Sequence, residues 1–165
     1  VFIGDVNIHE NPNEFELADI ACGIARTVKN FGYDPKVALL SFSNFGNPSG
    51  IKSEIIKNSV HLLSERNVDF EFDGEMSAET ALDFNLIKEN YPFCRLSGPA
   101  NVLIMPDLSS ANISFQLLQK LGGGNVLGPI MIGGEQSFQI VQMGASVTEI
   151  IDAATIATYN AIQKK

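Results

Sequence analysis

The stretch KVALLSFSNFGNPSGIKSEIIKNSVHLL, residues 36–63, decides the fold class because it passes from one kind of element to another. Its first five residues form an apolar run that is typical of a buried strand. The segment after residue 50 carries apolar residues at helical spacing: Ile55, Ile56, Val60 and Leu63. Between the two lie ten residues, 41–50, which exceed the roughly two to six that a strand-to-helix connection commonly needs. We expect this long loop, rich in small polar residues, to hold a ligand.

The same alternation of strand and helix repeats on both sides of this stretch. Upstream, Asn13 with Glu16 three residues later predicts a helix start, and Gly32 predicts its end. Downstream, we predict a strand over 68–74, a helix over 77–90 capped by Ser77, and a strand over 100–107. A helix should follow from Ser109 or Ser110 to the glycines at 122–124, and then a strand over 125–134 that is bent at Gly128–Pro129. The last predicted elements are an extended segment over 137–144 and a helix that begins with Ser146 and Glu149.

Alternating strands and helices with short links predict an α/β fold. The sheet should be mainly parallel, flanked by helices in a three-layer arrangement, with right-handed crossovers. The length of 165 residues fits one domain over residues 1–165. Because the chain starts at Val1 without a methionine, we expect it to be a part cut from a longer protein.

Composition excludes several classes of function. The formal net charge of -8 argues against a nucleic-acid surface, but it does not exclude a local anion site built from backbone N–H groups. No apolar run approaches the roughly 18 residues that span a bilayer, and no secretory leader opens the chain. Cys22 and Cys94 are expected to be free thiols in a reducing compartment, the cytoplasm. His9 and His61 have no ligands at metal spacing, so we expect no metal site.

Three polar loops should meet at one edge of the predicted sheet, because ligands bind outside the carboxyl ends of parallel strands. These loops are residues 41–50, 106–112 and 133–137. In the first loop, Ser41, Ser43 and Asn44 are candidate hydrogen-bond donors to an anion. The alternative, that these side chains satisfy only their own turn, has equal support.

Catalytic motifs are few. Neither histidine falls in one of the three loops, and the chain has no G-x-S-x-G, P-loop or G-x-G-x-x-G. The glycines at 122–124 are better explained as a helix end than as a phosphate cradle. Asp107 is a candidate base or substrate ligand, but capping the next helix explains it as well. Glu149 is a candidate catalytic residue whose place in a capping box already gives it a structural role.

Four segments together resemble the phosphotransacetylase family over nearly the whole chain. They are SFSNFGNPSG (41–50), DGEMSAETAL (73–82), SGPANVLIMPDLSSANISFQLLQKLGGG (97–124) and GPIMIGG (128–134). The resemblance implies transfer of acetyl between coenzyme A and phosphate, in a cleft between two α/β subdomains of the isocitrate/isopropylmalate dehydrogenase-like kind. This chain looks like the second subdomain.

Details of these segments look most like the C-terminal domain of hybrid NADP-dependent malic enzymes. That likeness implies a domain that senses acetyl-CoA and supports homo-oligomer assembly, with NADP and a divalent metal bound in the absent malic enzyme part and no cofactor in this one. The ligand-binding positions implied are Ser41, Ser43, Asn44, Phe45, Gly46, Asp107, Asn112, Gly128, Pro129 and Gly133.

One segment departs from the transferase pattern. Phosphotransacetylases carry S-R-G-x-S-x-x-D where this chain has QMGASVTE, residues 142–149. Gln142 stands for the serine, Met143 for the arginine and Glu149 for the aspartate. A methionine cannot replace the bidentate, permanently charged contact of an arginine with phosphate. We therefore name no catalytic residue, and an active phosphate acetyltransferase or butyryltransferase stays the alternative.

Overall fold

The computed structural model describes residues 1–5, 7–122, 126–134 and 136–163. The chain divides into two compact units, Val1–Phe115 and Gln116–Lys165, and the division falls within a helix. The single domain expected over 1–165 stays a prediction. No helix of the described residues is long and apolar enough to cross a membrane.

The first unit is built on a parallel sheet, which confirms the predicted fold class. In the described residues the strands are β1 (Phe2–Gly4), β2 (Lys36–Leu40), β3 (Glu71–Met76) and β4 (Val102–Ile104), in the order β1-β4-β2-β3. Every pairing is parallel, with Phe2 opposite Val102 and Val37 opposite both Phe72 and Val102. The carboxyl ends of the strands therefore share one edge.

Helices cover both faces of this sheet because successive strand residues point to opposite sides. Val37 and Leu39 face one apolar cluster, formed with helices α1 (Glu14–Asn30) and α2 (Ile51–Glu65). Ala38 and Leu40 face a second cluster, which includes residues of helix α3 (Ala78–Leu82) and of the segment that follows helix α4 (Phe84–Asn90). Three layers result, as predicted.

The start of α1 follows the predicted capping box. The Asn13 side chain accepts hydrogen bonds from the N–H groups of Phe15 and Glu16, at 2.9 and 3.0 Å. The Glu16 carboxylate in turn accepts from the Asn13 N–H at 2.8 Å. Gly32 follows the helix end with φ +85°, a backbone angle that glycine adopts at little cost.

Several element boundaries in the first unit differ from the prediction. Strand β1 was not expected, and β3 continues past Gly74 to Met76. The helix expected over 77–90 is two helices, although Ser77 does cap the first. Asp83 ends α3 and begins α4, because its carboxylate accepts from the N–H groups of Asn85 and Leu86.

The helix after β4, α5 (Leu108–Leu121), starts one or two residues before the predicted Ser109 or Ser110. It ends just before Gly122, as the glycine run indicated, while Gly123 and Gly124 lie outside the described residues.

The second unit contains α6 (Val147–Gln163) and irregular segments before it. The predicted strand over 125–134 is wrong for the described residues 126–134, which form no strand. Pro129 has no N–H to donate to a ladder. Instead, the Gln139 side chain brackets the backbone of Met131, accepting from its N–H at 2.8 Å and donating to its carbonyl at 3.1 Å. An amide side chain thus takes the place of a neighbouring strand.

Candidate ligand site at the carboxyl edge of the sheet

Two of the three predicted polar segments begin at the same edge of the sheet, although residues 108–112 of the second belong to α5 and not to a loop. Strands β2 and β4 are parallel neighbours, so the loop after Leu40 and the turn after Ile104 leave the sheet side by side. An ion pair between Lys52 and Asp107 joins the two segments that follow these strands. The remaining predicted positions, Gly128, Pro129 and Gly133, belong to the second unit, so their place in a common site stays a prediction.

The loop 41–50 contains a tight turn. Asn44 and Asn47 exchange backbone hydrogen bonds of 3.0 and 3.1 Å. The turn requires positive φ angles at Phe45 (+49°) and Gly46 (+92°). A phenylalanine in that region is uncommon and needs support from surrounding contacts.

That support comes from the end of β3. The N–H of Ser41 donates to the carbonyl of Met76 at 2.9 Å, and the N–H of Phe45 donates to the carbonyl of Glu75 at 2.8 Å. In the opposite direction, the Asn44 side-chain oxygen accepts from the N–H of Ser77 at 2.8 Å. Residues 41–45 of the loop are therefore hydrogen-bonded to the end of the neighbouring strand.

The Glu75 side chain completes the attachment. Glu75 is only 2% exposed. Its Oε1 accepts a hydrogen bond from the Gly46 N–H at 2.5 Å and lies 3.2 Å from Ser43 Oγ. The Ser43 hydroxyl lies within donating distance of two oxygens, Glu75 Oε1 and, at 3.1 Å, Ser41 Oγ. The hydroxyl of the fully buried Ser43 is thus used within the loop, which favours the turn interpretation for this residue.

The exposed surface of the loop is formed by its tip and by aromatic rings. Phe42 is 66% exposed, and the half-buried Phe45 ring lies 4.9 Å from the ring of Phe93 and 5.1 Å from that of Tyr91. Ser41 and Asn44 are half-buried beside them. This surface, and not the Ser43 hydroxyl, is what the loop can present to a ligand.

Asp107 caps α5 and forms an ion pair. Its Oδ1 accepts from the Ser110 N–H and Oγ, each at 2.8 Å, and its other oxygen pairs with Lys52. Burial alone would raise the pKa of this carboxyl, but the hydrogen bonds from Lys52 and Ser110 outweigh burial and lower the pKa to about 2. So acidic a group is a weak base, which favours the capping role over general-base catalysis. Asn112 lies half-buried one turn further along the helix.

Sequence reasoning missed two residues of this edge, Lys52 and Glu75. Lys52 lies in the first turn of α2, and its side chain is 56% exposed. Because Lys52 is the second residue of α2, it lies beside the positive end of the helix dipole. Gly50, at the N-cap, has no side chain to cap that end. The signal for Lys52 was its position directly after the long loop. The signal for Glu75 was its place in the quoted segment DGEMSAETAL.

The segment QMGASVTE, residues 142–149, which departs from the transferase pattern, lies in the second unit. Met143 is fully exposed, and the carbonyl of Gln142 accepts from the N–H of Ala145 at 3.1 Å. Glu149 accepts from the Ser146 N–H at 2.7 Å, and this hydrogen bond lowers the pKa of its carboxyl. The Glu149 N–H donates back to Ser146 Oγ at 3.3 Å, so the predicted capping box is present.

Metal and thiol chemistry find little support in the described residues. No group of three or more His, Cys, Asp or Glu side chains among them could hold a metal ion. His9 pairs with Asp5, and His61 lies 3.5 Å from Glu65. Cys22 and Cys94 are free. Burial raises the pKa of the Cys94 thiol to about 11, so it is protonated at neutral pH.

Comparison with known proteins identifies the family. A profile of the family described as Phosphate acetyl/butaryl transferase matches residues 1–158. The chain is 49% identical over 161 residues to an NADP-dependent malic enzyme of Rhizobium meliloti, covering 98% of this chain and 21% of that protein. It is 36% identical to a phosphate acetyltransferase of Treponema pallidum, covering 92% of this chain and 46% of that protein.

A comparison with solved structures points to the same family. A phosphotransacetylase from Streptococcus pyogenes superposes with a TM-score of 0.92 at 32% identity, over 98% of this chain and 49% of that one. The chain therefore spans about a fifth of the malic enzyme and about half of the transferases that it matches. The match of the family profile to all but the last few residues shows that the chain belongs to the phosphate acetyl/butyryl transferase family.

Proposed function

We propose that this chain is the acetyl-CoA-sensing, oligomerising domain of an NADP-dependent malic enzyme of the cytoplasm. Oxidative decarboxylation of malate to pyruvate, with NADP and a divalent metal, would be carried by the remainder of that protein. The observation that carries the proposal is the pair Gln142–Met143, at the positions where the family resemblance places a serine and an arginine. The 49% identity to a malic enzyme, against 36% to a phosphate acetyltransferase, supports the choice of parent protein.

The charge at this pair argues for sensing over transfer. Attack of phosphate on a thioester brings anionic oxygens together with a developing oxyanion, and fixed donors or cations must meet both. Removing one such donor typically costs about a hundredfold or more in rate. Here a hydroxyl is replaced by an amide and a guanidinium by a thioether, so the two losses should compound.

Binding of acetyl-CoA does not depend on those two side chains alone. The ligand carries several phosphates, and the Lys52 ammonium is a cation at the edge where the long loop ends. The exposed aromatic rings of Phe42, in the loop, and of Phe93, which lies 4.9 Å from the ring of Phe45, offer apolar area. These features support recognition of an anionic, partly apolar acyl thioester, while transfer of its acetyl group to phosphate would lack the arginine.

The alternative is an active phosphate acetyltransferase or butyryltransferase. It is supported by retention of Gly144 and Ser146 in the motif and by the 32–36% identity to phosphate acetyltransferases. The two proposals differ in one outcome, which is whether phosphate exchanges with the acetyl group of the bound thioester.

The test uses the full-length protein. Calorimetry should show acetyl-CoA binding, and an assay of acetyl phosphate formation on the same preparation should show no turnover. The double variant Gln142→Ser with Met143→Arg restores the charge, and Met143→Ala is its matched neutral control. Robust turnover by the unaltered protein would overturn sensing in favour of the transferase, and absence of binding would refute both.

Homo-oligomer formation is the second part of the proposal. In α6 the exposed large apolar residues are Val147, Ile150, Ile151 and Ile162. Exposed apolar groups at helical spacing favour association with a partner surface. Sedimentation of the full-length protein should show an oligomer, and a monomer at high concentration would contradict this part.

A further inference from the structure

Strand β3 contains an extra residue next to the long loop. Leu39 lies opposite Gly74 and Leu40 lies opposite Met76, so Glu75 has no partner residue in β2. The faces confirm the shift: Phe72 belongs to the apolar cluster of α1 and α2, whereas Met76 belongs to the opposite cluster. In a regular strand these two residues, four apart, would share a face. Glu75 is therefore the inserted residue of a β-bulge.

Bulges re-aim the inserted side chain and recur beside functional sites. Here the Glu75 carboxylate meets the loop that follows β2, where it accepts from the Gly46 N–H and from Ser43 Oγ. Among the described residues, no lysine, arginine or histidine lies within ion-pair distance of it. Burying a carboxylate costs free energy unless hydrogen bonds compensate it, so the burial of Glu75 depends on these two donors of the loop.

The neighbouring glycine makes this geometry specific. A Cβ at Gly74 would lie 2.6 Å from the carbonyl oxygen of Leu39, and Gly74 has φ +157°. Only a glycine lets β3 approach β2 this closely one residue before the inserted glutamate. The pair Gly74–Glu75 thus forms a unit in which the glycine allows the bulge and the glutamate uses it.

We infer that Glu75 is the positioning residue that holds Ser43–Gly46 in the conformation in which Ser41, Asn44 and Phe45 face a phosphate-bearing acyl thioester. This inference rests on the proposed function for its ligand. Glu75 acts through the loop and, at 2% exposure, does not contact the ligand itself. The length of the Glu75 side chain matters more than its charge, because the two groups that donate to it, the Gly46 N–H and Ser43 Oγ, are neutral.

Two conservative variants separate reach from charge. Glu75→Gln keeps the length of the side chain and an oxygen that can accept both hydrogen bonds. Glu75→Asp keeps the charge but withdraws the carboxylate by one methylene. In the full-length protein we expect Glu75→Asp to weaken acetyl-CoA binding by about tenfold, and Glu75→Gln by no more than roughly threefold.

A matched control removes effects of general stability. Leu63 is fully buried in the cluster on the opposite face of the sheet, away from the loop. Leu63→Ala should lower the melting temperature while leaving acetyl-CoA affinity unchanged. Hydrogen exchange of the peptide 41–50, followed by mass spectrometry, should rise in Glu75→Asp and stay at the wild-type rate in Leu63→Ala.

The outcomes are distinct. Wild-type affinity in Glu75→Asp, equal losses in both Glu75 variants, or an equal loss in Leu63→Ala would each overturn the inference. If the wild-type protein binds no acetyl-CoA, the proposed function fails and the ligand part of the inference fails with it. Exchange at 41–50 then still decides the loop part, which unchanged exchange in Glu75→Asp would overturn.

Discussion

The two loops at the carboxyl edge of the sheet are each fixed by a carboxylate, but by different physics. Glu75 is buried and serves neutral donors of the loop 41–50. Asp107 is partly exposed, caps α5 and pairs with Lys52. The first loop is therefore fixed by packing and hydrogen bonding, and the second by charge. Changes of volume should damage the first, whereas changes of pH and salt should affect the second.

The largest effect is expected from Gly74→Ala, which attacks the bulge beneath the first loop. The added Cβ would overlap the Leu39 carbonyl, and the backbone angle of Gly74 disfavours any other residue. We expect a loss of about 3 kcal/mol in the free energy of unfolding, from strain and overpacking together. Urea unfolding of this domain within the full-length protein measures it.

Gly98→Ala is the matched control for that substitution. A Cβ at the buried Gly98 would meet only the flexible end of the Lys36 side chain, at 3.2 Å. Its cost should stay within about 1 kcal/mol. Equal losses at Gly74 and Gly98 would show that the bulge has no special demand for glycine.

Ser43→Ala tests the hydrogen bonding of the first loop more gently. It removes a fully buried hydroxyl that donates to Glu75. We expect a cost of about 1–2 kcal/mol, because a buried carboxylate loses one of its donors. Ser49→Ala, at an exposed position of the same loop, should lie within about 0.5 kcal/mol of wild type. A neutral Ser43→Ala would mean that the Ser43 hydroxyl contributes nothing to holding the loop, which would then depend on the hydrogen bonds of residues 44–46.

Asp107→Ala addresses the second loop and should cost about 1 kcal/mol at neutral pH through loss of the helix cap. The pKa of Asp107 is lowered from 3.8 to about 2 in the folded protein, as burial is outweighed by Lys52 and Ser110. A lowered pKa stabilises the folded state above the unfolded pKa and loses that contribution as the pH falls through the folded value.

The difference in stability between wild type and Asp107→Ala should therefore shrink between about pH 4 and about pH 2. Acid titration of both proteins, followed by circular dichroism, measures this. A difference that stays constant down to about pH 2 would contradict the ionised state of Asp107.

The smallest effect is expected from Lys52→Gln, since an exposed ion pair contributes about 0–1 kcal/mol and is screened by salt. Unfolding at low and high ionic strength should show a small loss that disappears with added salt. A loss that persists at high salt would mean that Lys52 acts by packing.

Features of the fold that depend on residues close in sequence were predicted, whereas features that depend on contacts between distant segments were not. The capping boxes at Asn13 and Ser146 could be predicted because both partners lie within four residues. The bulge at Glu75 could not, since it depends on register with β2. The strand expected over 125–134 is wrong for the described residues 126–134, where the backbone of Met131 bonds to a side chain, Gln139, which periodicity does not reveal.

For the candidate site, the two loops were predicted from strand order, but the roles of their residues were not. Ser43 was predicted to be a ligand donor, but it is buried against Glu75, which lies 32 residues away in strand β3. Lys52 was overlooked because a lysine in a helix is ordinarily a solvated surface residue. Only the paired geometry of Lys52 with Asp107 marks it as part of the edge.

The strand order β1-β4-β2-β3 also has a consequence for synthesis of the chain. Phe2 pairs with Val102, which follows it by a hundred residues, while β2 and β3 can pair much earlier. At about 5–20 residues per second, β1 would wait on the order of 5–20 s on the ribosome for its partner. During that interval the sheet can grow only from β2 and β3, so β1, although it precedes them in the sequence, is among the last strands to be built into the sheet.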